Sequence, residues 1–325
     1  MPEIPPVALR TYMGIRIGVI AVIVALFLAV GKEIASEPDW CTQRSLSAYF
    51  HTPVMPVFVG ALLLIGFAMI VMWGHTIVED AALNLAGLLL MAVAIVPTLD
   101  ANYCSVPPEL RDAGVDPEAQ SVADKDLILQ HADTVRSTFW AFLIVVAVVL
   151  VFTLLMALRR RLSDSAPSLS RPATIGYAAT WVLAAAAWGV YVYLFQAADD
   201  PTSFFNHELH GWSANIGVGF IIVAVLTAAA ESARGTDEAV PWWRRWKAVA
   251  DWDRWVWLYG SLGTLMVLTA IVVKGGDRLD WFDGWFGGWL DTHATFVLEA
   301  ILIVLLGVYW LMQTIQRRAE GAPTY

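Results

Sequence analysis

Residues 44–60 read RSLSAYFHTPVMPVFVG, and the change of character inside them decides the fold. A polar and aromatic turn carrying Ser47 and His51 gives way beyond Pro53 to an apolar run that continues to residue 74. About twenty apolar residues are what a helix needs to cross the hydrocarbon core of a bilayer. The run is continuously apolar rather than alternating, so it reads as a spanning helix and not as a barrel strand. Ser47 and His51 stand at i, i+4 and share a face if the turn is helical, one turn before the span begins.

Outward from this stretch the same pattern recurs. Spans are expected at 14–32, 54–74, 79–98, 137–158, 173–195, 211–230, 255–273 and 294–315. The chain of 325 residues is 58% hydrophobic and 15% charged, where a soluble domain carries about a quarter charged residues. Its mean hydropathy is +0.62. The fold class is therefore all-α: one integral membrane domain over 1–325, a polytopic bundle of about eight transmembrane helices.

The Lys/Arg bias sets the orientation. With the N-terminus and C-terminus cytoplasmic, the inner segments hold 13 of the 20 basic residues, including Arg159, Arg160, Arg161, Arg244 and Arg245. The outer segments hold 18 of the 29 acids. Glu299, placed within a span, completes the 29 acids; Glu79 and Asp80, at the start of the third span, are counted with the inner turn before it. The localisation this implies is the plasma membrane. Arg10 and Arg16 ahead of residues 17–30 also fit the charged and apolar parts of a cleavable leader. Ile34 matches its cleavage site poorly, and removal leaves seven spans in the same orientation.

Both cysteines fall on the outer side, Cys41 between the first two spans and Cys104 in the loop or small cap expected at 99–136. On the oxidising side they are expected to pair, the alternative being two buried thiols. Two Trp-rich segments read as interfacial. Residues 231–254 mix Trp242, Trp243, Trp246 and Trp252 with Arg244, Arg245 and Lys247 on the inner side, a composition suited to anionic headgroups. In the outer segment 275–293, Trp281, Trp285 and Trp289 are spaced by four, giving one apolar helical face or a lid over an outer cavity.

Five of the six histidines, His51, His131, His207, His210 and His293, lie near outer span ends. His207 and His210 stand at i, i+3. Imidazoles from several helices with one carboxylate are a common way to hold zinc while leaving a place for water. Glu299 lies about five residues into the last span, roughly 7 Å deep at the helical rise. An ionisable group there is costly and is a functional candidate; the structural alternative is a hydrogen bond that locks helices. Asp100 and Asn102 end the third span, with Asp133 and Asp291 near His131 and His293.

Residues 47–66, 84–98, 210–214 (HGWSA) and 296–311 (FVLEAILIVLLGVYWL) resemble an uncharacterised family of bacterial multi-pass membrane proteins. That family's form is similar to S-x-Y-[YH]-[HY]-T, an Arg-Asp pair, F-V-G-x-L, a later single His before a span, and F-x-x-E in the last span. The resemblance covers most of the spans and implies Ser47, His210 and Glu299 as the polar positions. Met55-Pro56 stands where the Arg-Asp pair is expected, and the family implies no activity.

A second resemblance is to the superfamily of alkaline ceramidases and progestin/adiponectin-type receptors, seven-span proteins that bind zinc and hydrolyse lipid amides. Ser47-x-x-x-His51 is similar to its first motif. His207-x-x-His210 is one residue short of its last and precedes a span, and its Asp is missing. The resemblance implies zinc held by His51, His210 and either His207 or His293. Glu299 or Asp100 would be the general base, and Ser47 would steady the oxyanion or the metal-bound water. The substrate would be a lipid amide or ester from the outer leaflet.

A zinc-dependent lipid hydrolase is thus one expectation. Others are a non-enzymatic envelope or assembly factor binding membrane lipids or partner helices, a b-type haem protein with histidines on facing spans, and a proton-coupled transporter using Glu299. No phosphate-binding loop, nucleophile elbow, C-x-x-C or nucleic-acid-binding module is present in the sequence.

Overall fold

The computed structural model describes residues 6–72, 74–98, 103–105, 117–161, 171–197, 208–234, 246–279, 281 and 284–316. Among them eight α-helices occur and no strand, only an isolated antiparallel bridge between Arg234 and Trp246. The helices are α1 (Pro6–Ser36), α2 (Met55–Val71), α3 (Ile77–Ile95), α4 (Pro117–Arg161), α5 (Arg171–Ala197), α6 (Glu208–Ser232), α7 (Arg254–Arg278) and α8 (Trp289–Gln316). Seven are long and apolar enough to span a bilayer, which marks this as a membrane protein. The eighth, α2, has 17 residues, about 25 Å at the helical rise.

Local chemistry sets the ends. Pro56 starts α2, where its missing N–H costs nothing. Thr76 caps α3 by accepting from the Glu79 amide at 3.1 Å. Pro97 pushes Val96 into extended backbone (φ −96°, ψ 106°), so α3 stops at Ile95. Asp253 caps α7 by accepting from the amides of Trp255 (2.9 Å) and Val256 (3.2 Å).

Six helices close a ring in the order α1–α2–α3–α6–α7–α8, with α8 returning to α1. The α4–α5 pair packs outside it against α3. There Phe139 is fully buried beside Tyr191 and Phe195, and the indoles of Trp181 and Trp188 donate to α4 carbonyls at Leu150 and Leu143. On the ring, α2 and α3 meet at glycines. A Cβ at Gly66 would sit 2.7 Å from the Gly87 carbonyl oxygen, and one at Gly87 would strike the Gly66 carbonyl in turn.

The Cys41–Cys104 disulfide forms (S–S 2.19 Å, Cα–Cα 5.7 Å) and marks one end of the ring. Several expectations change. Residues 117–136, expected within a loop or cap, are the first turns of a 45-residue α4. The spacing of Trp281, Trp285 and Trp289 does not make one helical face. Gly284 (φ 73°), Phe286 (φ 52°) and Gly288 (φ 84°) are left-handed and confine regular structure to a short 3-10 turn.

Arg16 lies inside α1, 2% exposed, and Glu299 is not the only acid carried by an apolar helix. Glu79 and Asp80 occupy the buried first turn of α3. At this end, opposite the disulfide, Glu79 accepts from Tyr309 (2.6 Å) and Gln313 (3.0 Å), and Arg16 donates to the Gln313 carbonyl (2.9 Å). Trp242, Trp243, Arg244 and Arg245 lie outside the described residues. Among the described residues the Arg234 guanidinium lies 5.2 Å over the Trp246 ring and Arg254 lies 5.0 Å over Trp255.

Candidate functional site

At the disulfide end, residues 42–47 run along the first turns of α8. His293 leaves helical geometry (φ −113°, ψ 15°), and the chain beside it takes up the backbone groups. The His293 Nε2 lies 2.9 Å from the Thr42 carbonyl, and the Phe296 amide donates to the Arg44 carbonyl at 3.0 Å. One turn further, Glu299 Oε2 accepts from the amides of Leu46 (2.7 Å) and Ser47 (3.1 Å), and Oε1 accepts from Ser47 Oγ at 3.1 Å. Positions 293, 296 and 299 thus lace the segment to one face of α8. The last lacing point is the most heavily bonded, with three hydrogen bonds converging on one carboxyl group.

Ser47 and His51 do not share a face. Ser47–His51 is a 3-10 helix, and at three residues per turn i+4 lies about 120° from i. Ser47 turns to Glu299, while His51 Nε2 reaches the Thr98 carbonyl at 3.0 Å. His210 Nδ1 reaches the Val96 carbonyl at 2.6 Å. Both imidazoles therefore face carbonyls of the extended segment that follows α3 around Pro97, where the backbone has no helical partners. The His293 ring also approaches the Trp289 carbonyl (2.7 Å) and stacks on the Trp289 indole.

One ring nitrogen each of His51 and His210, and both of His293, are directed at backbone carbonyls. Among the described residues no group of three or more His, Cys, Asp or Glu side chains is placed to hold a metal ion. Asp100 and His207 lie outside the described residues, as do Asn102 and the side chain of His131.

Between the ring helices lies a cavity of about 480 Å³. Its walls are apolar, with Leu62 and Ile65 from α2, Leu90 from α3, Ile221 from α6, Met266 from α7 and Leu302 and Leu306 from α8. Its polar groups include Ser47, Thr98, His210, Ser213, Asn215, Lys274, Thr295 and Glu299. Ser47 and His210 are buried and Glu299 is half-buried against this space. Ser213 is engaged with the Tyr191 hydroxyl at 2.8 Å. Of the expected site residues, Ser47, His210 and Glu299 line one cavity.

Lys274 was not singled out from the sequence. The available signal was its spacing: Met266, Ala270 and Lys274 lie four apart on one stripe of α7. The buried Glu79 cluster also had a sequence signal, Thr76-x-x-Glu79 ahead of an apolar run, which reads as a capping box.

Burial pushes the Tyr49 hydroxyl up to about 12, opposed by its hydrogen bond with the Gln43 backbone.

Fold and site together define a class: a helical membrane protein whose ring of six helices holds an internal, mostly apolar cavity with polar groups gathered towards one end. Within that class the comparisons single out no relative: no family model, no curated protein and no solved structure matches the chain.

Proposed function

We propose that this protein binds an amphiphilic, lipid-derived ligand inside the helix ring, with the disulfide end on the outer face of the plasma membrane. The observation that carries the reading is the cavity itself. A cavity of about 480 Å³ falls within the range of small-molecule sites, which pair apolar walls with a few convergent polar groups. The apolar walls take the tail. The end near Ser47, His210, Lys274 and Glu299 takes the head. Orientation rests on the basic bias of the opposite segments, and a disulfide suits an oxidising compartment.

The test is extraction and mass spectrometry of the purified protein, compared with two variants on adjacent α7 positions. Ala270 lines the cavity and Ile271 is 61% exposed on the outside of the ring. Wild type and Ile271→Phe should retain a stoichiometric amphiphile, and Ala270→Phe should lose it. Equal retention by both variants, or none in the wild type, rules the reading out.

A second reading, hydrolysis of a lipid amide or ester in the same cavity, is favoured by one contact. Glu299 Oε1 accepts from Ser47 Oγ at 3.1 Å, the geometry in which a carboxylate takes a proton from a hydroxyl. Release of free fatty acid by purified protein, lost in Ser47→Ala, would support it. Ligand binding without turnover leaves binding alone.

A further inference from the structure

We infer that the cavity selects amphiphiles with an anionic head, a carboxylate or a phosphate monoester, and that Lys274 is the residue that selects them. This rests on the amphiphile-binding reading above and adds the ligand's charge.

The two charged groups lining the cavity are not equivalent. A carboxylate has about four acceptor sites. Glu299 already fills three with the amides of Leu46 and Ser47 and the Ser47 hydroxyl. It is committed to holding residues 42–47 on α8 and offers a cationic head little that is unused. Lys274 carries three N–H donors. Its charge acts on Glu299, yet among the described residues its ammonium makes no hydrogen bond or ion pair. A lysine near a helix end ordinarily turns its head out to the headgroups; Lys274 is half-buried and lines the cavity. An ammonium with unused donors beside a satisfied carboxylate is a site for an anion, with Glu299 limiting how deep that anion moves.

The depth sets the tail. From Glu299 to Leu306 the cavity follows seven residues of α8, roughly 10 Å at the helical rise. That accommodates a short single chain and not a two-chain lipid.

The experiment measures equilibrium binding of four ten-carbon probes, decanoate, decyl phosphate, decanol and decylamine, with inorganic phosphate as a tail-less control. The proteins are the purified full chain, Lys274→Gln and Lys274→Arg. Wild type should bind decanoate and decyl phosphate more tightly than decanol or decylamine, and inorganic phosphate far more weakly than decyl phosphate. Losing a charge-assisted contact should weaken both anions about 10- to 100-fold in Lys274→Gln. Decanol should be unaffected, and Lys274→Arg should retain anion binding. Unaltered decanol binding also reports that the glutamine variant is folded. Wild-type affinity for the anions in Lys274→Gln, a preference for decylamine, or inorganic phosphate binding as tightly as decyl phosphate overturns the inference. Failure of all four probes to bind the wild type instead removes the amphiphile reading on which it stands.

Discussion

Replacing Glu299 tests the lacing of residues 42–47 onto α8, and the two informative variants differ in a calculable way. In Glu299→Ala, three donors lose their acceptor: the Leu46 amide at 2.7 Å, the Ser47 amide at 3.1 Å and the Ser47 hydroxyl at 3.1 Å. An unsatisfied buried polar group costs about 1–3 kcal/mol. Cavity water recovers part of this, so the segment should loosen by about 3–5 kcal/mol. In Glu299→Gln the amide oxygen can stand where Oε2 stood and keep both backbone bonds. Its NH₂ then donates to Ser47 Oγ, which is able to accept. Geometry survives and only charge assistance is lost, about 1–2 kcal/mol. Amide hydrogen exchange reads the difference, since about 1.4 kcal/mol corresponds to tenfold in the local opening equilibrium. The Leu46 and Ser47 amides should exchange roughly tenfold faster in the glutamine variant and more than a hundredfold faster in the alanine variant. Equal rates in all three proteins, or fast exchange already in the wild type, would refute the lacing.

Further outcomes follow from other contacts. Cys41→Ser should destabilise the fold by up to about 4 kcal/mol on the chain-entropy model, with Cys104→Ser adding nothing to it, as read by thermal melting in detergent. Gly87→Ala should destabilise by about 1–3 kcal/mol because its methyl meets the Gly66 backbone, overriding the gain alanine gives an open helix position; a higher melting temperature contradicts the contact. Tyr309→Phe removes a 2.6 Å donor from Glu79 and should cost about 1.5–3 kcal/mol, with no change in ligand retention, since Tyr309 does not line the cavity. Tyr49 is held neutral by burial, its pKa raised from 10.0 to about 12. Its stabilising contribution is therefore complete below pH 10 and lost between pH 10 and about 12, up to about 2.7 kcal/mol at 1.36 kcal/mol per unit. Measured as wild type minus Tyr49→Phe, a flat difference across that range contradicts it.

The amino-acid sequence by itself determined everything that depends on solvent preference along the chain. Apolar runs near the length of a bilayer core locate the apolar body of each helix, because backbone polar groups in hydrocarbon have no other way to pair, but not the polar first turns of α4 at 117–136. The positions of Cys41 and Cys104 relative to those runs sufficed for the disulfide. Ser47, His210 and Glu299 were legible as candidates because a polar group on an apolar helix or at its mouth needs a reason to be there.

Partners were not legible, because they are set across hundreds of residues. Ser47 meets Glu299 and Arg16 meets Gln313 only once the ring closes through α8 and α1. Which carbonyl each histidine faces depends on where Pro97 ends α3 and on the 3-10 pitch of Ser47–His51, which no spacing rule for α-helices encodes. The cavity is the clearest case. It exists because α6 and α8 barely touch across the ring, and that gap is a property of how six helices pack and of no single one of them.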